Sequence, residues 1–300
     1  MGRSRYRDTG AASPLQIRKV LNTPVMKKIN LIIISAVVLV IAGILVFNGI
    51  NFEKSKNTPV AEVPAINEEG VLFDLAQKAM DSGDIIKARD IYQSIVDKFP
   101  ASGKIAKAQS SLEDINIKIL LSDIPVKDSE VYTVEKGDNL TKIAKKFGTT
   151  ADLIMSSNKL KSSSIQIGKK LKVNKAKFSI VVDKSQNILT LKSGQEIIKT
   201  YHVSTGKNSC TPVGTFKIIN KIIDPPWYKE PGVMIPAGDP KNVLGSRWLG
   251  ISKPSYGIHG TTQPEAIGQS VTEGCVRMRN LEVEELYMLV PEGTEVVITD

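Results

Sequence analysis

Cysteine and histidine are both scarce in this chain, two of each in 300 residues. Two cysteines are too few for a disulfide scaffold; they form at most one bridge in an oxidising compartment, or both stay free. A basic excess outside the N-terminus is also lacking. The formal charge of +9 suggests a polyanion binder, but Arg3, Arg5, Arg7, Arg18, Lys19, Lys27 and Lys28 against Asp8 place +6 of it in the first 28 residues, leaving +3 for the rest. A nucleic-acid interface needs its charge on a folded face, so nucleic acid is not expected as a partner.

What is present begins with an apolar run. Residues 29–50 are interrupted only by Asn30, Ser35, Gly43, Asn48 and Gly49, and about twenty such residues cross a hydrocarbon core of roughly 30 Å. No small-x-small cleavage site closes the run, which is also longer than the apolar core of a signal peptide. It reads as one uncleaved transmembrane helix that anchors the chain to a membrane. The basic residues on its N-terminal side leave 1–28 as a cytoplasmic tail and place everything after the helix in the periplasm or outside the cell. Met1-Gly2 does not complete a myristoylation signal, since Tyr6 occupies the position that favours Ser or Thr.

Residues 51–69, with Pro59, Pro64 and mixed charges, read as a solvated linker. From 70 to 121 the period becomes helical. Leu72, Leu75, Ala76, Ala79 and Met80 recur before Gly83, then Ala88, Ile91, Tyr92, Ile95 and Val96 before Pro100, and a third helix is expected from about 102 to 120. The stretch DSGDIIKARDIYQSIVDKFP resembles one tetratricopeptide repeat. A single repeat cannot bury both its faces, so this TPR-like segment reads as a spacer or docking element, with binding of a protein partner as the alternative. Residues 130–174 then give strand, helix, helix, strand, with a Gly-Asp turn after the first strand. They resemble a LysM domain along their full length, including the YTV-x-x-GD-x-L entry and the I-x-x-G-x-x-L-x-V exit. That likeness implies binding to the glycan of peptidoglycan, with the turns at 137–141 and 158–165 as the candidate groove.

The most informative stretch is GIHGTTQPEAIGQSVTEGCVRMRN, residues 257–280. It holds His259 beside Gly260 and Cys275 beside Gly274, with Arg277 and Arg279 following. An imidazole that takes a thiol proton makes a nucleophile, positive charge favours the thiolate, and glycines let backbone amides approach a developing oxyanion. From spacing alone, a small core cysteine and a satisfied core histidine fit equally well. His259-Gly260-Thr261 and Thr272-Glu273-Gly274-Cys275-Val276-Arg277 resemble the paired motifs of the L,D-transpeptidases, the YkuD family. Thr205-Gly206 with Thr211-Pro212-Val213-Gly214-Thr215-Phe216, then Pro225-Pro226-Trp227 and Asn242-Val243-Leu244-Gly245, follow the same family in order across residues 177–300. Val243 stands where the family usually has Pro, and Glu273 where it often has His or Lys.

Short β-branched runs from Phe178 onward suggest a β sandwich or barrel, and the resemblance implies a mostly-β catalytic domain with the cysteine at a cleft edge. It implies a peptidoglycan L,D-transpeptidase that makes or remodels cell-wall cross-links by acyl transfer on stem peptides. Cys275 would be the nucleophile and His259 the general base. The Gly260 carbonyl would orient the imidazole, the Gly274 and Cys275 amides would line the oxyanion hole, and Arg277 would hold a carboxylate or the thiolate. No cofactor or metal is required. An L,D-carboxypeptidase or endopeptidase at the same site, and a wall-tethering protein without catalysis, are the alternatives. His202 reads as structural or groove-lining.

Overall fold

The computed structural model describes residues 67–300. The expected cytoplasmic tail, transmembrane helix and most of the linker lie outside the described residues. Among the described residues no helix is long and apolar enough to cross a membrane.

Three helices come first, α1 (Glu68–Asp81), α2 (Ile85–Lys98) and α3 (Ile105–Leu120). The side chain of Asn67 accepts from the Gly70 amide and that of Asp84 from the Lys87 amide, each satisfying a donor the helix cannot. Gly83, at φ 77°, makes the turn between α1 and α2. The first helix thus starts inside the segment read as linker, because Asn67 supplies its cap. Ala76, Ala88, Tyr92, Ile95, Leu112 and Ile115 close a small core among the three.

The next unit has β1 (Ser129–Thr133), α4 (Leu140–Phe147), α5 (Ala151–Ser157) and β2 (Lys170–Asn174). The two strands pair antiparallel over Leu140, Ile143, Ile154, Leu171 and Val173. Asn139 and Thr150 cap the two helices, and Gly148, left-handed at φ 68°, ends the first. Asn158 holds the loop that follows α5 to β2, exchanging hydrogen bonds of 2.8 Å with the Lys172 amide and carbonyl.

The remainder comprises β3 (Phe178–Asp183), β4 (Ile188–Ser193), β5 (Glu196–His202), β6 (Thr205–Gly206), β7 (Gly214–Ile223), β8 (Trp227–Glu230), β9 (Val233–Ile235), β10 (Arg247–Ile251), β11 (Gly257–His259), β12 (Ser270–Thr272), β13 (Val276–Arg277), α6 (Asn280–Leu289) and β14 (Glu295–Thr299). Eight strands join in the order β13-β11-β10-β7-β14-β3-β4-β5. β7 belongs to two halves: residues 214–217 pair with β14, while 218–223 pair with β10. One core therefore takes Ile180, Leu191 and Val296 from one half, Leu249, Ile258 and Val276 from the other, and Val283, Leu286 and Leu289 from α6. The mostly-β domain expected from strand spacing, left open between sandwich and barrel, is built on one continuous mixed sheet. Local alternation cannot show that the last strand, β14, enters the middle, parallel to β3 and antiparallel to β7.

The preceding units pack onto this sheet. Ile117 and Leu120 of α3 and Leu153 of α5 belong to the sheet's core. Thr150 donates its hydroxyl proton to the Met288 carbonyl. Asn116 donates to the Ile197 and Ile198 carbonyls at 3.3 and 3.4 Å, covering the outer edge of β5, an edge that would otherwise offer free pairing groups. Lys172 of β2 donates to the Ile119 and Ser122 carbonyls at 2.7 and 2.8 Å, where the helix leaves its last carbonyls unsatisfied. Arg89 pairs with Glu196, and Lys199 with Glu285 at 2.9 Å.

Candidate active site

β11 and β13 run parallel, with Ile258 opposite Val276 and His259 opposite Arg277. Cys275 therefore enters this ladder beside Gly257, and the fifteen residues between His259 and Cys275 fold away as a connection. The approach to Cys275 is a locked turn. Thr272 Oγ1 donates to the Cys275 carbonyl at 2.6 Å and accepts from the Gly274 amide at 3.1 Å. Gly274 sits at φ 120°, and a Cβ there would stand 2.6 Å from Tyr256 Cε1, so the position admits no side chain. The Gly274 amide, expected to face an oxyanion, is committed to Thr272 instead; the Cys275 amide is the donor left at this turn.

The thiol itself points to the Ser255 carbonyl, Sγ to O 3.7 Å. Ser255 is left-handed at φ 66°, a costly conformation for a residue with a Cβ and one that collects at functional sites. Burial pushes the Cys275 thiol up, while the Gly257 amide and the Arg277 charge push it down, and burial dominates. His259 is 3% exposed. Its Nδ1 lies 2.7 Å from the Gly260 carbonyl. Burial lowers its pKa from 6.5 to about 4, Arg277 adds to the lowering, and the Gly260 and Leu244 carbonyls oppose it. Both groups are thus neutral at rest, and they share no direct hydrogen bond; such bonds often tighten only when substrate arrives.

Arg277 donates through Nη1 to Gln263 Oε1 at 3.3 Å, and its Nε is buried without a partner. Asn280 Oδ1 accepts from the Ser246 amide at 3.2 Å and the Thr261 amide at 3.0 Å. One side chain at the start of α6 thereby ties the segment after Leu244 to the one after His259. Asn242 works alike, donating to the Pro225 and Pro236 carbonyls at 2.9 and 3.1 Å. The outcome is a cavity of about 270 Å³ whose walls are Pro225, Pro226, Trp227, Leu244 and Trp248, with Cys275 on its surface. A larger hollow of about 550 Å³ between α2, α3 and the β4–β5 turn is lined by Arg89, Asp97, Glu113 and Glu196 and holds no nucleophile.

The fold brings together Cys275, His259, Gly260, Gly274 and Arg277. It leaves His202 exposed at the end of β5. Cys210 is exposed, its sulfur 3.9 Å from the Thr272 carbonyl, and both cysteines are free. Among the described residues no group of three His, Cys, Asp or Glu side chains is arranged to hold a metal ion. Asn280 and Trp248 escaped the sequence reading, and Thr272, quoted there within the motif, was given no role of its own. Asn280 meets partners 34 and 19 positions away, and no local pattern marks such a contact.

Two stretches of the chain match known domain families. Residues 177–298 match the YkuD L,D-transpeptidase catalytic domain, and residues 132–174 match the LysM domain. A putative L,D-transpeptidase YkuD of Bacillus subtilis is 34% identical over 174 residues, covering 56% of this chain and 97% of the relative. A second from that organism, the putative L,D-transpeptidase YqjB, is 39% identical over 127 residues, covering 40% of this chain and 70% of the relative. Among solved structures, an L,D-transpeptidase from Mycobacterium smegmatis matches with 21% identity and a TM-score of 0.36, covering 45% of this chain and 65% of that one.

Proposed function

The chain belongs to the YkuD family and is a cysteine-dependent peptidoglycan L,D-transpeptidase, and from that premise we propose that Cys275 is its nucleophile and His259 the general base. The observation that carries this assignment is position: Cys275 lies on the cavity surface, one sheet position from the strand that holds His259, whereas Cys210 lies outside that cavity's lining.

The imidazole takes the thiol proton, and the thiolate attacks the carbonyl of the third stem-peptide residue. The tetrahedral oxyanion forms near the Cys275 amide, and D-alanine leaves with the proton returned by His259. The resulting thioester is resolved by the side-chain amine of a neighbouring stem, whose proton passes through His259 to the departing Cys275 sulfur. Arg277, with an unpartnered buried Nε, favours the thiolate and offers a site for a substrate carboxylate. The carbonyl of Gly260 holds the ring through Nδ1, which leaves Nε2 as the nitrogen that would carry the transferred proton.

The LysM domain is consistent with binding peptidoglycan; its glycan would lie along the turns at 137–141 and 158–165. The apolar run at 29–50 would anchor the enzyme in the membrane with the catalytic domain facing the wall, and the three helices would serve as a docking element held against β5. The test is the product pattern from purified muropeptides. The wild-type chain yields a cross-linked dimer, and Cys275→Ala and His259→Ala, both folded, yield none. Cross-linking by a folded Cys275→Ala chain would refute the assignment.

A further inference from the structure

In the β10–β11 pair Trp248 lies directly opposite His259, and Gly250 lies opposite Gly257. Residues two apart on a strand share a face, so the indole and the imidazole rise from the same side as a pair of bare glycines. Those glycines give the indole its place. A Cβ on Gly257 would stand 2.6 Å from Trp248 Cζ2, and one on Gly250 would stand 2.8 Å from Nε1. Nε1 donates to Asn220 Oδ1 at 3.2 Å, and Asn220 is the partner of Gly250 on β7. Held at its edge and floor, the indole stacks on His259 with ring centroids 5.8 Å apart and planes 20° apart. It also lines the cavity that holds Cys275.

We propose that Trp248 is a positioning residue for the base: its aromatic face stabilises the His259 imidazolium formed when the Cys275 thiol gives up its proton. The proposal rests on His259 being that base. In the step concerned the S–H bond breaks, an N–H bond forms on the ring, and a thiolate and an imidazolium replace two neutral groups. Burial and the charge of Arg277 on β13 resist the new positive charge, against which the Gly260 and Leu244 carbonyls offer only neutral dipoles in its favour. An aromatic face attracts a cation through its quadrupole. Because that attraction acts on the ring face, both ring nitrogens stay available for the Gly260 carbonyl and the transferred proton.

The experiment measures alkylation of Cys275 by iodoacetamide against pH, in the full chain with Cys210→Ser so that one thiol reports. Trp248→Leu keeps bulk and removes the aromatic face, while Trp248→Phe keeps a smaller face. The Leu variant should react about two- to thirtyfold more slowly at neutral pH, the range a cation–π contact spans. Its thiolate limb should move to higher pH, with the Phe variant between. Fluorinated tryptophans, incorporated with Trp227→Phe so that one indole is labelled, weaken the ring's quadrupole at nearly constant shape. A stepwise fall in rate with each added fluorine supports the proposal even if the Leu variant does not fold. Profiles that do not change with fluorination overturn it. His259→Ala separates the two assignments. If it leaves the alkylation profile unchanged, His259 is not the base and the role of Trp248 falls with it; if it alters the profile while the fluorine series is flat, only the role of Trp248 fails.

Discussion

Leu153 sits on the LysM helix α5, yet its fully buried side chain belongs to the core of the catalytic sheet. Truncating it to Ala should therefore destabilise the catalytic domain from outside that domain's own sequence. Leu→Ala at fully buried sites costs about 2–5 kcal/mol, the transfer free energy of the lost methyls plus the cavity they leave. The Thr150 cap at the Leu153 amide, 3.0 Å, and the Thr150 bond to the Met288 carbonyl keep α5 in place, so the cavity has little room to collapse. For a cooperative unit of this size each kcal/mol moves Tm by about 2–4 °C, so a loss near 3 kcal/mol lowers Tm by about 6–12 °C. The reporter is independent of the perturbation. Both tryptophans of the chain, Trp227 and Trp248, lie in the catalytic part, and their fluorescence follows its unfolding while the substitution lies in LysM. If LysM were a separate bead, the tryptophan transition of Leu153→Ala would coincide with that of the wild type. That coincidence would refute the shared core.

Two further outcomes follow from the site. His259 has a folded pKa of about 4 against 6.5 when unperturbed. Between those values the unfolded chain holds a proton that the folded chain does not, so this contribution is complete above pH 6.5 and is lost as pH falls toward 4, about 3 kcal/mol in all. Urea midpoints of wild type and His259→Gln across that window should diverge accordingly, and parallel curves would contradict a buried neutral imidazole. Asn280→Ala removes the acceptor shared by the Ser246 and Thr261 amides and loosens the backbone on both sides of Gly260. Steady-state kinetics should show kcat reduced about a hundredfold, as misplacements near 1 Å produce, with KM little changed; an unaltered kcat would leave Asn280 a purely structural residue.

The helices and the βααβ order of LysM were legible in the sequence because their signals are local. An Asn or Asp cap, a glycine at a helix end and apolar residues three or four apart each act within one or two turns. The family motifs were equally legible, since His259-Gly260-Thr261 and Gly274-Cys275 with Arg277 are contiguous short strings. The mostly-β expectation held, but strand order was not legible, because its determinant is nonlocal. β7 is shared by two halves, and β14, the last strand, fills the sheet's middle, and strand alternation is the same whichever neighbour a strand takes. The Gly274 amide was misjudged for a related reason: a glycine before a nucleophile looks like an oxyanion donor until the Thr272 hydroxyl is seen to occupy it.

By itself the sequence determined the chemistry available, one thiol and one imidazole among glycines and arginines, and the order of the modules that carry it. Tertiary structure alone decided how those groups behave. Burial favours the neutral form of both, a bare glycine pair lets Trp248 lie against His259, and one asparagine from α6 ties the loops around it. It also decided that the helices and LysM share the catalytic core through Ile117, Leu120 and Leu153. The physical reason is the same in each case: desolvation, stacking and core packing depend on which surfaces meet, and those surfaces come from residues tens to more than a hundred positions apart along the chain.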